Sequence, residues 1–306
     1  MRMQKIEVKN ICPVCWCTNF HHKYFWKDYY YNTTNNQFEI IECNHCKLEQ
    51  IYPMPTKIEQ ATFYPKNYYS YNKRKWKTKI NKIISYIISF IFSPFTNKKI
   101  ELPTFRGEGK KFLDIWCGDG FNIDKIKQLG REAKGFEIAD KFCFKNDIYY
   151  WPSIIDVNFH EAFDYIRCHH VIEHVDNPVE FLNKIWSILS VDWIFILTLP
   201  NVKNLISNIF WQYASDRDIP RHLFWYDFNN IEILLKKCGF KIIWRYRKPQ
   251  VNSSMSFSWM LIWKYNIDIR NTILMKIVWL LFLPIEFILS CIGSTNQMCF
   301  ILKKKE

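Results

Sequence analysis

The chain has 306 residues, enough to bury a sizeable core in one large domain or two. Hydrophobic residues make up 49% of it and aromatic residues 18%, which excludes an intrinsically disordered protein. The formal net charge of +13 could suit nucleic acid or anionic lipid, but no basic run resembles a known nucleic-acid-binding module. We therefore attribute the charge to the lysine-rich composition of an A/T-rich coding sequence and expect no nucleic acid partner.

The first residues, MRMQKIEVKNICPVC, lack the apolar core of a signal peptide. Eleven cysteines in a chain that is not exported predict reduced thiols, some of them held by metal. We therefore expect a cytoplasmic protein.

Two cysteine pairs, Cys12-x2-Cys15 and Cys43-x2-Cys46, lie within residues 1–60. Four thiolates at this spacing can close a tetrahedral zinc site that leaves no open position for catalysis. A redox-active CxxC motif is the alternative, but two matched pairs in one short segment favour metal. We predict a small zinc-ribbon-like module with structural zinc, which ends at the proline-marked boundary IYPMPT.

Residues 61–104 contain the basic and apolar stretch KRKWKTKINKIISYIISFIF, which predicts an amphipathic helix that ends before Pro94. Its lysines could face lipid phosphates while its apolar side chains enter a bilayer surface. We interpret the segment as a helical linker and expect a peripheral contact with the inner membrane surface.

From residue 105 to residue 306, apolar runs alternate with helical patterns. The runs KFLDI, EAKGFE, FDYIRC and IFILTL predict buried strands, and FNIDKIKQLG and PVEFLNKIWSIL predict helices between them. This alternation predicts a doubly wound parallel α/β sheet. Ligands of such sheets bind beyond the carboxyl ends of the strands, at the topological switch point.

The segment KFLDIWCGDGFN has the pattern of a nucleotide-binding turn. Asp114 lies near the end of the first strand, and Gly118 and Gly120 would let the backbone approach a ligand as the next helix begins. Glu137 ends the second strand, where a carboxylate can accept two hydrogen bonds from a ribose diol. The turn alone is a weak signal, and the acid at the end of the second strand strengthens it.

These motifs resemble those of class I S-adenosylmethionine-dependent methyltransferases. LDIWCGDG is similar to the family's LDxGCGxG motif, AKGFEIAD to its second-strand motif, and the segment from FDYIRCHH to FILTLPN to its fourth and fifth strands. NQMCFILKKK resembles the last strand, which inserts antiparallel beside the fifth. The nearest structural competitor, a hydride-transferring dehydrogenase, would need a GxGxxG turn, which WCGDGF does not supply. The resemblance implies a seven-stranded Rossmann-like sheet and S-adenosyl-L-methionine as cofactor.

The resemblance also implies roles for individual residues. Asp114 and the backbone of the turn would hold the methionine part of the cofactor, and Glu137 its ribose hydroxyls. Ile138 would line one adenine face, and Asp156 would meet the adenine amine, although a solvated loop acid is an equal alternative for it. The full set of implied cofactor contacts is Asp114, Ile115, Trp116, Cys117, Gly118, Gly120, Glu137, Ile138, Asp156 and His169.

The segment HHVIEH places His170, Glu173 and His174 at positions i, i+3 and i+4, on one helical face beside the cofactor cleft. His222, in PRHLF, should enter the same cleft from the loop after the fifth strand. We predict His174 and His222 as catalytic bases, because histidine suits proton removal from a hydroxyl, phenol or acidic carbon near neutral pH. The plainer interpretation is that His174 caps and packs its helix while His222 orders its loop. The resemblance to ubiquinone-type O-methyltransferases implies a third interpretation, in which His170, Glu173 and His174 bind a metal.

The resemblance implies transfer of a methyl group from S-adenosyl-L-methionine to an oxygen or carbon of a small-molecule or lipid-linked acceptor. A sugar, a glycolipid or a quinone precursor would fit. Two other functions stay open. An altered turn could leave a catalytically inactive scaffold or zinc-dependent interaction protein, and the charge and zinc could suit an RNA methyltransferase, which the motifs do not favour. The sequence makes no prediction of the oligomeric state.

The stretch TILMKIVWLLFLPIEFILSCI, Thr272 to Ile292, approaches the length of a membrane span. Lys276, Pro284 and Glu286 interrupt it, and a charge at mid-bilayer is costly. A crossing segment would also separate the last strand from its sheet. We therefore predict a hydrophobic helical insertion over about 252–292 that packs on the domain as a lid or lies on a bilayer surface.

Tryptophan stands at several positions where the resemblance expects glycine. Trp116 lies in the turn after the first strand, Trp16 follows the first cysteine pair, and Trp193 precedes the fifth strand; Trp151 is less securely aligned. The chain has 8 glycines and 13 tryptophans, whereas about 7% glycine, roughly 21 residues, is usual for this length. One cause would explain these observations. The gene would use UGA as a glycine codon, and the conceptual translation would give tryptophan at these positions. Trp116 would then crowd the cofactor cleft of the written chain. The alternative is a degenerate or truly tryptophan-bearing turn.

Overall fold

The computed structural model describes residues 10–66, 68, 111–138, 147–248, 253–269 and 272–305. The amphipathic helix predicted in the linker, and most of the linker itself, lie outside these residues.

The N-terminal part of the chain folds as an antiparallel sheet followed by a short helix. A capping box formed by Thr56 and Glu59 starts the helix. Alternation along the first strand buries Tyr24 and Trp26 and leaves Phe25 exposed between them. The elements are β1 (Phe20–Trp26), β2 (Phe38–Cys43), β3 (Glu49–Tyr52) and α1 (Lys57–Thr62).

The rest of the described chain alternates strands and helices. In order they are β4 (Lys111–Ile115), α2 (Phe121–Gln128), β5 (Glu132–Glu137), β6 (Ile148–Tyr150), β7 (Phe163–His169), α3 (Pro178–Ile188), β8 (Leu189–Pro200), α4 (Leu205–Phe210), β9 (Phe224–Trp225), α5 (Phe228–Lys237), β10 (Phe240–Lys248), α6 (Ser253–Tyr265), α7 (Ile273–Cys291) and β11 (Gln297–Lys304).

Seven of these strands form one sheet in the order β10-β11-β8-β7-β4-β5-β6. The neighbours from β8 to β6 are parallel, and β11 runs antiparallel between β8 and β10. The predicted doubly wound α/β sheet of seven strands is confirmed, with the last strand antiparallel beside the fifth.

Local sequence explains why the sheet is covered and buried. The helix α3 begins at the N-cap Asn177 with Pro178 in its first turn, and it buries Phe181 and Ile185 at helical spacing. In β8 every residue from Phe195 to Pro200 is buried, as expected for a strand covered by helices on both faces. This core holds the carboxyl ends of the parallel strands at one edge.

One short strand from the later part of the chain belongs to the N-terminal sheet. β9 pairs antiparallel with β3, with Trp225 opposite Glu49, and so becomes the fourth strand of the N-terminal sheet. The pairing continues where Ile51 N–H donates to the Leu223 carbonyl at 3.0 Å. Because β9 closely follows His222, the N-terminal sheet is attached to the loop that carries this histidine.

Three helices, α4, α6 and α7, pack on one another, and we call them the helical cap. Their shared apolar core contains Ile206, Phe210, Ala214 and Leu289. Within the described part of the chain, α7 is the one helix long and apolar enough, by length and composition, to cross a membrane.

Candidate active site

The turn after β4 lies where the sequence predicts a cofactor-binding bend. The Cys117 N–H donates to the Phe136 carbonyl at 3.1 Å and fastens the turn to β5. Gly118 and Gly120 have φ of 57° and 73°, in the left-handed region that glycine enters without strain. The helix α2 begins directly after Gly120. The backbone therefore has the conformation that close approach to a ligand requires.

A glycine in β5 lets the turn pack this closely. A Cβ on Gly135 would lie 2.5 Å from Cys117 Sγ and 2.5 Å from Ile123 Cδ1. A larger residue would fit only if the turn or the first residues of α2 moved.

The carboxylate of Glu137 is bonded to the same turn. It is 6% exposed, and its oxygens accept hydrogen bonds from Gly118 N–H at 2.8 Å and Ile138 N–H at 2.9 Å. This is a carboxylate at the end of the second parallel strand, where a ribose diol would bind.

The remaining predicted cofactor contacts share this edge of the sheet. Ile138 follows β5 and its side chain is 42% exposed, so it can line an adenine ring. Asp156 is exposed in the 3-10 helix Ile154–Asp156 after β6, and His169 ends β7.

Asp114 is paired within the protein. It is 1% exposed, and Arg167 on β7 donates from Nη1 to both carboxylate oxygens, at 2.9 and 3.1 Å. Asn122 Nδ2 also donates to it at 3.2 Å. Strand register sets the ion pair, since Asp114 lies opposite Arg167 across β4 and β7. No motif in the sequence points to Arg167, whose guanidinium lies beside the turn predicted to hold the methionine part of the cofactor.

Trp116 occupies this turn in a conformation that disfavours it. Its φ is 56°, and a bulky side chain there is an outlier. Its half-buried indole lies against His174, with ring centroids 5.1 Å and planes 39° apart. The ring fills the space between residues 116–120, which we call the cofactor turn, and the candidate base His174.

The histidine segment is not the helical face that the spacing predicted. Ile172–His174 form one 3-10 turn, and His170 precedes it with φ of 56°. The α-helix starts only at Pro178, because Asn177 is its N-cap. His170 Nδ1 lies 3.0 Å from Glu173 Oε1, and its Nε2 is hydrogen-bonded to the Gln297 amide.

The structure brings His174 and His222 together, with ring centroids 4.6 Å apart and planes at 78°. The Nδ1 of each faces a backbone carbonyl, that of Arg221 at 2.9 Å for His174 and that of Asp216 at 3.0 Å for His222. A carbonyl only accepts, so in each ring Nδ1 carries the proton and Nε2 the lone pair.

Both histidines are buried, and this sets their charge. Burial lowers the pKa of His174, and it lowers the pKa of His222 well below the ordinary histidine value, with the neighbouring His174 adding to the effect. Each is therefore a neutral base at pH 7.

Glu173 lies beside these histidines. It is 1% exposed, its Oε1 is 4.0 Å from His222 Nε2, and its Oε2 has no hydrogen-bond partner among the described residues. Ligand atoms of Glu173, His174 and His222 lie within 4.8 Å of one another, a set that could hold a metal ion. The metal alternative drawn from the sequence used His170, and in the structure His222 completes the cluster.

A row of aromatic rings leads away from the histidines. Tyr64 Oη lies 3.1 Å from His174 Nδ1. The Tyr64 and Tyr68 ring centroids are 5.1 Å apart, and those of Tyr68 and Tyr31 are 5.4 Å apart. Tyr31 in turn lies 6.1 Å from Trp259 on α6. The row therefore connects His174 with the helical cap.

The four predicted zinc ligands lie together. The Sγ atoms of Cys12 and Cys46 are 3.4 Å apart, as are those of Cys15 and Cys43, and all four lie within 4.8 Å of one another. The contact with the Cys46 sulfur lowers the pKa of Cys12. These separations suit four thiolates around one tetrahedral zinc ion, with Zn–S bonds of roughly 2.3 Å.

Buried ion pairs fasten the N-terminal module to the loop before His222. Arg221 Nη2 lies 2.7 Å from Asp28 Oδ1, and Arg217 Nη1 lies 3.0 Å from Glu49 Oε2. The carbonyl of the same Arg221 holds Nδ1 of His174. Asp28 therefore positions a candidate base. No sequence pattern points to it, because Asp28 and Arg221 are separated by 193 residues.

A family profile described as a methyltransferase domain matches residues 88–244, just over half of the chain. A ubiquinone biosynthesis O-methyltransferase from Paraburkholderia phymatum is 26% identical over 127 residues, 37% of this chain and 55% of the relative. A protein of the same name from Azoarcus sp. strain BH72 is 30% identical over 82 residues, 23% of this chain and 35% of the relative. The matches thus span about half, or less, of the length of these curated relatives.

Among solved structures, phosphoethanolamine N-methyltransferase 2 from Haemonchus contortus, in complex with S-adenosyl-L-methionine, superposes with a TM-score of 0.50. The match covers 94% of this chain and 69% of that chain at 13% identity, so it shows the fold alone. The family match and the seven-stranded sheet agree: the chain belongs to the class I S-adenosylmethionine-dependent methyltransferases.

Proposed function

We propose that this methyltransferase methylates an oxygen atom of a small molecule, with His222 as the general base and His174 beside it. The observation that carries the proposal is the pair of buried, neutral imidazoles next to the cofactor turn. In both rings Nδ1 is occupied by a backbone carbonyl, which leaves Nε2 to accept a proton.

The residues at the carboxyl edge of the sheet fit the cofactor. Glu137 offers carboxylate oxygens to a ribose diol, and the turn up to Gly120, with Arg167 beside it, flanks the place for the methionine part. S-Adenosyl-L-methionine, when bound, supplies the electrophilic methyl group. The task of the chain is to align the acceptor and remove its proton.

His222 is suited to this proton transfer. Being neutral at pH 7, it can take a hydroxyl proton at Nε2 while Nδ1–H remains bonded to the Asp216 carbonyl. The resulting imidazolium lies 4.0 Å from the Glu173 carboxylate, whose negative charge stabilises it.

The acceptor side of the cleft is lined by rings. Half-buried Tyr64 stands next to His174 and offers a flat surface on which the ring of a phenol or sugar can stack, and buried Tyr68 packs edge-on against Tyr64. The curated relatives are named as ubiquinone biosynthesis O-methyltransferases, which supports an oxygen acceptor on a small organic molecule. A sugar, a glycolipid or a quinone precursor carries such a hydroxyl, and we place the reaction in the cytoplasm.

A transfer assay with labelled S-adenosyl-L-methionine and a panel of phenols, catechols and sugar nucleotides tests the proposal. His222→Gln should lower kcat by about 10²- to 10⁴-fold, with the cofactor dissociation constant unchanged by calorimetry. The matched control His160→Gln, at an exposed loop histidine, should change neither quantity. NMR of the product should place the methyl group on oxygen. A methylated carbon, or full turnover by His222→Gln, would contradict the proposal.

We also infer that Cys12, Cys15, Cys43 and Cys46 hold one structural zinc ion, because their four sulfur atoms converge at tetrahedral spacing. Metal analysis of the purified chain should find one zinc ion per molecule, and Cys43→Ser should lose it together with the fold of the N-terminal sheet. A folded N-terminal sheet without zinc would overturn the assignment.

A further inference from the structure

The outward face of α7 is apolar along its length. Six aliphatic side chains on this face are between 43% and 76% exposed: Ile273, Ile277, Leu280, Leu281, Ile285 and Ile288. Soluble monomers rarely expose a contiguous apolar patch of this kind unless it binds something.

The acidic residue of α7 is turned away from this face. Glu286 is 5% exposed, and its Oε1 accepts hydrogen bonds from the backbone N–H of Ser253, at 2.9 Å, and from the Ser253 hydroxyl. It thereby caps the start of α6. The charge that interrupts the apolar stretch in the sequence is buried inside the protein, where it does not oppose contact with lipid.

Two positive side chains lie near the two ends of the face. Lys276 is exposed close to the start of α7. Arg247, exposed on β10, hydrogen-bonds to the carbonyl of Gly293 just beyond the end of α7. An apolar face with a cation near each end is complementary to a bilayer whose headgroups are anionic.

The other side of α7 is fixed to the protein. Val278, Leu289 and Ser290 are buried, and β11, which follows closely, pairs with both β8 and β10. A helix held along one side and exposed along the other has the geometry of an interfacial helix, not of a span.

We propose that the outward face of α7 docks on an anionic lipid bilayer. Its aliphatic side chains enter the headgroup and acyl boundary, and Lys276 and Arg247 meet lipid phosphates. The full chain, floated on a density gradient with vesicles containing phosphatidylglycerol, should rise with them. It should rise less with vesicles of phosphatidylcholine alone, and less again in high salt.

A double variant tests which face docks. Leu281→Asp with Ile288→Asp adds two charges to the inserted surface and should reduce the bound fraction at least about tenfold. The matched control, Ile58→Asp with Val191→Asp, makes the same change of charge at side chains that are 82% and 70% exposed outside the helical cap. The control should float like the original chain, and circular dichroism should show both variants folded.

Three results would overturn the proposal. The original chain could stay at the bottom of the gradient, or both double variants could lose binding equally. Alternatively, light scattering could show a dimer that Leu281→Asp with Ile288→Asp separates in the absence of vesicle binding, which would make a second copy of the chain the occupant of the face.

A second inference rests on the backbone. Nine non-glycine residues of the described chain have positive φ, and five of them are Asn, Asp or His, which tolerate this region. Three are tryptophans: Trp16 at 61°, Trp116 at 56°, and Trp211 at 45° with ψ of −110°. The combination at Trp211 lies outside the regions open to a residue with a Cβ. The ring of Trp16 is 64% exposed, so burial does not offset its backbone strain.

We infer that positions 16, 116 and 211 are glycine in the native protein, which agrees with a gene that uses UGA for glycine. The backbone gives no such support at Trp193, since the positive φ lies at the preceding Asp192, nor at Trp151. Sequencing the gene should show UGA codons at the three positions, and peptides from the native host should have glycine masses there. A UGG codon or a tryptophan mass at any of the three overturns the inference.

Discussion

Replacing Trp116 by glycine should strengthen cofactor binding and lose less stability than the same change at a fully buried tryptophan. At φ of 56° a side chain costs about 1–2 kcal/mol, which glycine recovers. The change also removes the ring contact with His174 at 5.1 Å, worth about 0.5–1.5 kcal/mol beyond the apolar area that the half-buried ring covers. The strain that glycine relieves therefore offsets part of the lost packing. By contrast, Trp26→Gly, at a 3% exposed strand position with ordinary φ, should lose about 3–5 kcal/mol.

Thermal unfolding measures the stability of each variant, and calorimetric titration with S-adenosyl-L-methionine measures its affinity for the cofactor. Removing the indole should lower the dissociation constant at least about tenfold, which corresponds to about 1.4 kcal/mol. Trp116→Ala separates the two causes, because alanine removes the ring but keeps a Cβ in the left-handed region. Trp116→Ala should bind the cofactor as tightly as Trp116→Gly, but it should be about 1 kcal/mol less stable to unfolding. If Trp116→Gly binds the cofactor more weakly and unfolds as readily as Trp26→Gly, the reasoning is refuted and the indole is a native part of the core.

The rate of transfer should stay constant as the pH falls from about 7.5 to about 6, because burial keeps the pKa of His222 below its ordinary value; a pH–rate profile that bends near 6.5 would contradict this. The same depressed pKa means that the unfolded chain binds more protons below about 6.5, so the melting temperature should fall with pH in that range and not above it. Gly135→Ala should cost about 1–3 kcal/mol in unfolding experiments and weaken cofactor binding, since its Cβ would meet Cys117 Sγ at 2.5 Å. Asp28→Asn should cost about 3 kcal/mol by leaving a buried charge on Arg221 partly unpaired, and calorimetry should show the cofactor still bound while transfer is lost.

The large sheet could be predicted because its central strands are buried on both faces. Such strands are short apolar runs bounded by turn residues, and KFLDI and IFILTL are runs of this kind. The cofactor turn could be predicted for a related reason. Gly118, Gly120 and Glu137 are set by local backbone demands and by their distance from strand ends, both of which are visible in the sequence.

Contacts between distant segments could not be predicted. No periodic pattern links Asp28 to Arg221, or Asp114 to Arg167, because each pair forms only after distant segments of the chain have packed together. The spacing of HHVIEH fits an α-helix and a 3-10 turn equally well. The N-cap at Asn177 decides between them, and it lies outside the motif.

The pairing of β3 with β9 also bears on the order in which the chain can fold during synthesis. The segments of β1 to β3 leave the ribosome first, and N-terminal units generally fold as they emerge. Their fourth strand is made only after β4 to β8. Until then β3 presents unpaired N–H and C=O groups along an open edge, which another chain or a chaperone could occupy. The step that closes this edge brings in β9, and β9 carries the loop of His222 with it. In the nascent protein, sealing the first sheet and assembling the active site are therefore one event.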